Sequence, residues 1–306
     1  MQNKISLIIV SYNTWEVTKK CLEKVNIATD FSFKNHGINS ETIVVDNAST
    51  DKSADLIRKY FPWVKLIRSS KNLGFGAGNN LGLKEAKGDY LLLLNSDAFL
   101  NKDTLVKCLD YFKKNKDCDA LQINLRNSNG SFQLIAGNLP TPINTILWSL
   151  GLESLPFINQ IIRPIYNHDE NYFVKERVLE WSSAAFFMMK REVYLVSGGF
   201  DEKLFLYMED VELCKRIKEK GLKICYSPNI KIVHLSGASG KVLSEDKLKN
   251  QYKGMLYYHK KHFPIGYFTV KLFLLLGLLF RSFYYLISRN GQNAKVYYKV
   301  SKFLLY

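Results

Sequence analysis

Short apolar runs alternate with helical patterns through the first 115 residues, and this alternation restricts the fold more than any other feature of the chain. "ISLIIVSY", "ETIVVDNAS", "VKLIRSS" and "DYLLLLNSD" have the length and composition of strands. The segments that follow them, roughly 15–27, 52–60, 76–87 and 103–114, carry helical spacing. A repeated strand-helix order predicts a parallel sheet with right-handed crossovers. The fourth run contains four consecutive leucines with no polar alternation, as expected of a strand buried on both faces, and it stops abruptly at Asn95, Ser96 and Asp97.

Ligands of an open parallel sheet bind beyond the carboxyl ends of its strands. Three of the runs end there in polar groups: Ser11-Tyr12-Asn13, Asp46-Asn47 and Asn95-Ser96-Asp97. Singly, Asn13 and Asp46 suit ordinary turns and Asp97 a loop carboxylate. Their shared placement is what points to a site. Helix capping is a poor explanation for Asp97, because Asn101 already stands where the next helix would be capped.

From about 125 to 178 the periodicity fades, and Pro140, Pro142, Pro156 and Pro164 break a loop-rich insertion around one apolar helix, "TILWSLGL". Regular structure resumes at "VLEWSSAAFFMMKREVYLVSGGF", continues as a helix after Tyr207 and ends in strands at "LKICYS" and "IKIVHLS". The chain has 306 residues, 47% of them apolar, which excludes a disordered or fibrous class. Its five cysteines form no C-x-x-C pair, so neither a disulfide framework nor a zinc knuckle is expected, and a reducing compartment is the simplest reading. "MQNKISLIIVSYN" reads as a strand rather than a signal peptide, which places the bulk of the chain in the cytoplasm.

Net charge is +15, and from Lys241 onward twelve Lys or Arg stand against two acids, so +10 of it lies in the last 66 residues. In that tail, the uninterrupted apolar core of "YFTVKLFLLLGLLFRSFYYLI" is shorter than the ~20 residues of a simple spanning helix, although snorkelling of Lys271 and Arg281 leaves a short tilted span open. Its apolar residues occupy every face and its flanks are basic, which favours attachment to an anionic membrane surface over packing on the core.

"NLGFGAGNN" follows the third strand with G-x-G-x-G spacing, so it fails the dinucleotide-binding fingerprint. Its glycines suit either close helix packing or backbone contact with a donor diphosphate. "FLYMEDVELCKRIKEKG" is sharper. At about 100° per residue, Leu213, Cys214 and Ile217 define an inward stripe with Asp210 at its centre, Glu209 near its edge, and Glu212, Lys215, Arg216 and Glu219 opposite. Helix-dipole complementarity explains Glu209 and Glu212. An inward acid is costly unless it faces a polar cleft, which marks Asp210 as functional. His234 after "IKIV" is either a structural histidine or, with Asp97, an N/O pair for a divalent ion, and spacing leaves both open.

"VSYNTWE", "VVDNASTD", "NLGFGAGNNLG", "LLLNSD", "GGFDEKLFLYMEDVELCKR" and "HLSGAS" stand in the order seen in family 2 glycosyltransferases. Over residues 5 to 240 the chain resembles that family, particularly its rhamnosyltransferase-like bacterial branch. The resemblance implies an α/β fold of GT-A type, with a Rossmann-like, mostly parallel sheet flanked by helices. It implies that Ser11, Tyr12 and Asp46 hold the base and ribose of a nucleotide sugar, with Asn13, Asn72, Gly74, Asn79 and Ser96 completing the donor site. Asp97 would be the last acid of the DXD metal motif, whose first acid is here Asn95. His234 resembles the late metal- or diphosphate-contacting histidine, so the metal set is Asp97 and His234 with Mg²⁺ or Mn²⁺. Trp181 falls in the acceptor-lining segment, where Ser183 or Ala184 replaces the family's glycine. Asp210 resembles the catalytic base, with Glu209 as runner-up or acceptor contact.

These readings converge on an inverting, metal-dependent hexosyltransferase. It would move a sugar, rhamnose being one candidate, from a dTDP- or UDP-sugar to a saccharide acceptor, expected in lipid-linked form, during surface-polysaccharide assembly at the cytoplasmic face of the membrane. The expected division is a catalytic domain over 1–240, with donor half 1–115 and acceptor half 116–240, followed by a membrane-associated helical region over 241–306. A sugar nucleotidyltransferase would want a Gly-rich, Arg-containing loop after the first strand, and "SYNTWE" is not one. A nucleic-acid binder would suit the charge and eighteen tyrosines, but not the concentration of charge beside an apolar helix, so no nucleic-acid partner is expected.

Overall fold

A computed structural model describes residues 4–235 and 244–305. The end of the "HLSGAS" motif, from Ser236 onward, lies outside the described residues. The order is β1 (Lys4–Ser11), α1 (Trp15–His36), β2 (Asn39–Asp46), α2 (Ser53–Tyr60), β3 (Lys65–Arg68), α3 (Phe75–Glu85), β4 (Tyr90–Leu94), β5 (Ala98–Phe99) and α4 (Thr104–Lys114). Then come β6 (Ala120–Arg126), β7 (Ala136–Gly137), α5 (Pro142–Leu150), α6 (Pro156–Ile161), β8 (Arg177–Leu179), β9 (Trp181–Ser182), β10 (Phe186–Lys190), α7 (Arg191–Ser197), α8 (Glu209–Glu219) and β11 (Ile224–His234). The tail adds α9 (Glu245–His262), α10 (Tyr267–Ile287) and α11 (Gly291–Leu305).

The chain forms two compact units: Met1–Ala136, His168–Phe205 and Asp210–Ala238 in the first, and Gly137–Asn167, Leu206–Glu209 and Ser239–Tyr306 in the second. The first is an α/β unit around a nine-stranded sheet ordered β3-β2-β1-β4-β10-β6-β11-β5, with β8 on β11. Strands β1, β2, β3, β4, β6 and β11 share one direction, and β10, β5 and β8 oppose it. The leucine run is β4, fully buried between β1 and β10. Its leucines meet apolar neighbours on both faces, which is why no polar alternation was needed.

In several elements the structure departs from the sequence reading. Helix α1 runs nine residues beyond 27, because Val25, Ala28 and Ser32 continue the buried stripe, Ser32 Oγ bonds the Ala28 carbonyl, and left-handed Gly37 caps the end. "LKICYS" and "IKIVHLS" are one strand, β11, with a bulge between Ser227 and Lys231. Strand β6 was hidden by Gln122 and Asn124, both buried in a run that polar residues disguise. Gln122 Nε2 donates to Ser182 Oγ at 2.6 Å and to the Ser183 carbonyl at 2.8 Å, so its burial leaves the amide nitrogen satisfied.

In the second unit, Pro142 starts a helix instead of breaking one. Thr141 and Asn144 form a reciprocal capping box around it. Helix α5 packs closely on α10: Val270, Leu274, Gly277 and Leu278 are buried, and Ser149 Oγ donates to the Phe273 carbonyl at 2.8 Å. Arg281 donates to the carbonyls of Trp148 and Ser149. Thr145 Oγ1 meets buried His259 Nε2 of α9 at 2.8 Å, and burial holds that imidazole down to about 4.

Candidate active site

The carboxyl ends of β1, β2 and β4 gather the polar groups anticipated there. Ser11 pairs in register with Asp46. Its buried hydroxyl lies 3.0 Å from Thr18 Oγ1, while Tyr12 beside it is 44% exposed. Asn13 adopts a left-handed φ of 51°, which its short amide tolerates, and fastens the β2 loop: its N–H donates to Ser49 Oγ at 2.9 Å and its Oδ1 accepts from the Thr50 N–H at 2.7 Å. Asp46 is 1% exposed; one oxygen accepts from the Ser49 N–H at 3.2 Å, and Oδ1 has no partner among the described residues. A buried acceptor left unmatched costs roughly 1–3 kcal/mol, so this oxygen is a natural receptor for a ligand N–H or O–H.

The glycine loop is tied to the same end by Asn47, which the sequence reading placed among the polar strand ends without a role of its own. Its Nδ2 donates to Asn72 Oδ1 and the Gly74 carbonyl, each at 3.0 Å, and its Oδ1 accepts from the Leu73 N–H at 2.9 Å. The Gly74 N–H is taken by Asn72 Oδ1 and the Phe75 N–H by the Phe205 carbonyl, both at 2.9 Å. Gly78 and Gly82 lie against Val10 and Ile8 of β1, and buried Asn79 donates to the Phe75 carbonyl at 3.0 Å. Around these glycines the surroundings are those of close packing.

Past β4, the turn at Asn95 brings Asp97 to His234, because β5 pairs antiparallel with the end of β11 and sets His234 opposite Ala98. His234 Nε2 lies 3.1 Å from Asp97 Oδ1 and 3.2 Å from Asn95 Nδ2. On the other side of the ring, Nδ1 meets Gln133 Oε1 at 2.8 Å. The Gln133 amide nitrogen donates to the His234 carbonyl and to Asn127 Oδ1, which leaves its oxygen facing the imidazole and makes Nδ1 the donor. The Nε2 lone pair then accepts from Asn95 Nδ2, and the Asp97 carboxylate oxygen lies beside it at 3.1 Å, a nitrogen and an oxygen placed close enough to share a cation. The Asn95 Oδ1 is buried with no partner among the described residues. One carboxylate oxygen and one imidazole nitrogen are donor types that suit Mg²⁺ or Mn²⁺. Among the described residues, no group of three or more His, Cys, Asp or Glu assembles as a metal cluster.

Asp210, in the first turn of α8, meets the same end of the sheet through residues 184 and 185. Its carboxylate accepts from the backbone N–H groups of Val211 at 2.8 Å and of Ala184, while the Asn95 N–H donates to the Ala185 carbonyl at 2.9 Å. Two adjacent residues ahead of β10 therefore link the Asp210 carboxylate to the turn that carries Asp97. Some of the Asp210 surface reaches solvent, yet protein surrounds the carboxylate densely enough for desolvation to push it up to about 6, against the pull of its backbone donors. Glu209 and Trp181 are both buried, and Ser96 sits half-buried between Asn95 and Asp97.

The helical wheel misplaced Glu212 and Arg216. Glu212 is fully buried and accepts from Arg216 Nε at 2.9–3.0 Å, while the guanidinium also reaches the carbonyls of Ser197 and Gly199 at the end of α7. Helix α8 is covered on two sides, and a wheel drawn for one buried stripe has no place for a second. All five cysteines are buried and free.

The model of glycosyl transferase family 2 matches residues 6–196, more than half of the chain. The chain belongs to glycosyl transferase family 2. It is a glycosyltransferase of the rhamnosyltransferase-like kind: it is 25% identical over 247 residues to an N-acetylglucosaminyl-diphospho-decaprenol L-rhamnosyltransferase of Mycobacterium tuberculosis, covering 76% of each chain. It is 24% identical to rhamnosyltransferase WbbL of Escherichia coli, covering 75% of this chain and 83% of that one. A mannosyltransferase from Pyrobaculum calidifontis, solved with GDP-Man and Mn²⁺, shares the GT-A-type fold at a TM-score of 0.56 and 15% identity, covering 97% of this chain and 74% of the other. The family match stops short of Glu209, Asp210 and His234.

Proposed function

We propose that this family 2 glycosyltransferase is inverting and uses a divalent cation. It takes a sugar, with rhamnose the leading candidate, from a dTDP- or UDP-sugar to a hydroxyl of a lipid-linked saccharide at the cytoplasmic membrane face. The observation that carries the reading is the connection of Asp97 and Asp210 through residues 184 and 185. Ser11, Tyr12 and Asp46 hold the nucleoside, with the Asp46 Oδ1 receiving a base or ribose donor. Asp97 and His234 would hold the cation, whose charge offsets that on the departing diphosphate. Asp210 accepts the proton of the acceptor hydroxyl as its oxygen bonds the anomeric carbon and the bond to the diphosphate breaks on the opposite side. A single displacement of this kind inverts the anomeric configuration.

A thermal-shift panel of nucleotide sugars, each with and without Mn²⁺, tests the donor half. At a hundredfold excess over Kd, a ligand specific to the folded state adds about 2.7 kcal/mol. One dTDP- or UDP-sugar should raise the melting temperature by several degrees, more with Mn²⁺ than without. A flat response to every donor under both conditions would refute it.

Membrane attachment rests on α10. The face opposite its contact with α5 presents Phe268, Leu272, Leu276, Leu279, Phe280, Phe283, Leu286 and Ile287, all exposed and none charged, with Phe268 at 78% and Phe280 at 60%. The span Pro264–Ile287 is long and apolar enough to cross a bilayer, yet only 22% of its most apolar window is buried. Because the other face is committed to α5 and to Arg281, the helix suits the plane of the interface, its exposed face in lipid and the basic tail over anionic headgroups. Leu276→Glu with Phe280→Glu is expected to weaken sedimentation with phosphatidylglycerol vesicles at least tenfold, since each buried side chain contributes about 1.5–3 kcal/mol. Undiminished binding by the double variant would remove this attachment.

A further inference from the structure

We propose that Gly254, in the middle of α9, is a positioning residue for Asp210, holding the turn from which the acid is presented; this rests on the catalytic reading of Asp210 given above. The turn is strained. Tyr207 and Met208 are consecutive non-glycine residues at φ 69° and 71°, a left-handed pair that costs of order 1–3 kcal/mol per residue and persists only when its surroundings impose it. Glu209 and Asp210 follow directly as the first residues of α8. By packing, Leu206–Glu209 belongs to the second unit, and the chain enters the first at Asp210.

Gly254, in the same unit, lies against that turn. A Cβ built on it would lie 2.8 Å from the Tyr207 carbonyl oxygen and 3.0 Å from both Cβ and Cγ of Met208, whereas ordinary contact begins at 3.4 Å. Glycine inside an 18-residue helix costs about 1 kcal/mol relative to alanine, so helix propensity does not account for it here. The close approach does: the bare backbone of α9 lets the Tyr207–Met208 turn seat against it. Any side chain would push the turn by several tenths of an ångström, and Asp210 is only two residues beyond. Displacements near 1 Å at a reacting group cost up to about 10²-fold in rate.

On this reading α9 seats the turn that leads directly into Asp210. Gly254→Ala should lower kcat for transfer from dTDP-rhamnose roughly tenfold or more, leaving donor KM within about twofold, the pattern of an interaction that acts only in the transition state. Amide hydrogen exchange over residues 206–215 should quicken in that variant, whichever donor the enzyme prefers, and stay unchanged over β1 and β2. Gly291→Ala in α11, where a Cβ meets nothing within 4 Å, is the control and should alter neither measurement. If Gly254→Ala does not fold, Gly254→Ala combined with Met208→Gly removes the Met208 atoms 3.0 Å from the added Cβ and takes the φ of 71° without penalty, while the Tyr207 carbonyl oxygen at 2.8 Å still crowds, so it should fold and show the same kind of kcat loss and local exchange. Unchanged exchange at 206–215 overturns the proposal, as does a fall in kcat matched by an equal loss of donor binding. Full transfer by Asp210→Asn would instead overturn the catalytic assignment, so the two failures are distinct.

Discussion

Replacing Asp210 by asparagine is expected to lower glycosyl transfer by roughly 10²–10⁴-fold, the usual contribution of a general base, while donor binding stays within about twofold. Asparagine keeps an oxygen for the Val211 and Ala184 N–H groups but accepts no proton from the acceptor hydroxyl. The pH profile of the wild type carries the same signature. Desolvation pushes Asp210 up to about 6, so activity should be lost as pH falls through that value and be complete near pH 8. Stability runs the other way. A carboxyl whose folded pKa lies above its unfolded value is held without penalty below the unfolded pKa, and destabilises the fold progressively as pH rises to the folded one. Asp210→Asn should therefore melt higher than wild type at pH 8 and no higher at pH 4. A variant that keeps near wild-type transfer, or an activity profile flat between pH 5 and 7, would remove Asp210 as the base.

Gly74→Ala should be the most damaging single methyl in the fold. Gly74 sits at φ 82°, ψ −175°, a region open essentially to glycine alone, and a Cβ there would lie 2.1 Å from the Phe205 carbonyl oxygen. That carbonyl also accepts the Phe75 N–H, so the clash can be relieved only by breaking the hydrogen bond or by displacing the segment that leads toward Asp210. Strain and contact together should cost about 3 kcal/mol or more, a fall of about 6–12 °C in Tm at 2–4 °C per kcal/mol. Gly130→Ala separates the two effects. Gly130 also has a positive φ, 81°, and a methyl group added there would meet nothing within 4 Å, so backbone strain remains without the contact and the loss should be smaller, about 1–2 kcal/mol. Equal losses at the two positions would show that the Phe205 contact is unimportant.

Much of the site was legible because each polar cluster follows its own apolar strand. The abrupt end of β4 at Asn95, the Asp46 that closes β2 and the inward acid of α8 are all local statements, readable from periodicity. Gln133 left no such trace: it lies in an irregular stretch and matters only because His234, a hundred positions away, needs its Nδ1 proton held. Asn47 was readable only as part of the polar end of β2, because its amide bridges that end and the glycine loop across 25–27 positions. Glu212 was misread because burial on a second side of α8 depends on Arg216 reaching the carbonyls of α7.

The sequence by itself determined that the first half alternates strands and helices as a parallel sheet does, and that polar groups close several of those strands, since the period of apolar residues dictates which face of each element is dry. Only the tertiary structure decided that Asp97 meets His234, that residues 184 and 185 connect the two acids, and that α10 buries one apolar face while exposing the other. Those facts depend on which distant strands and helices pair, and pairing is set by the packing of the whole chain rather than by any window of it.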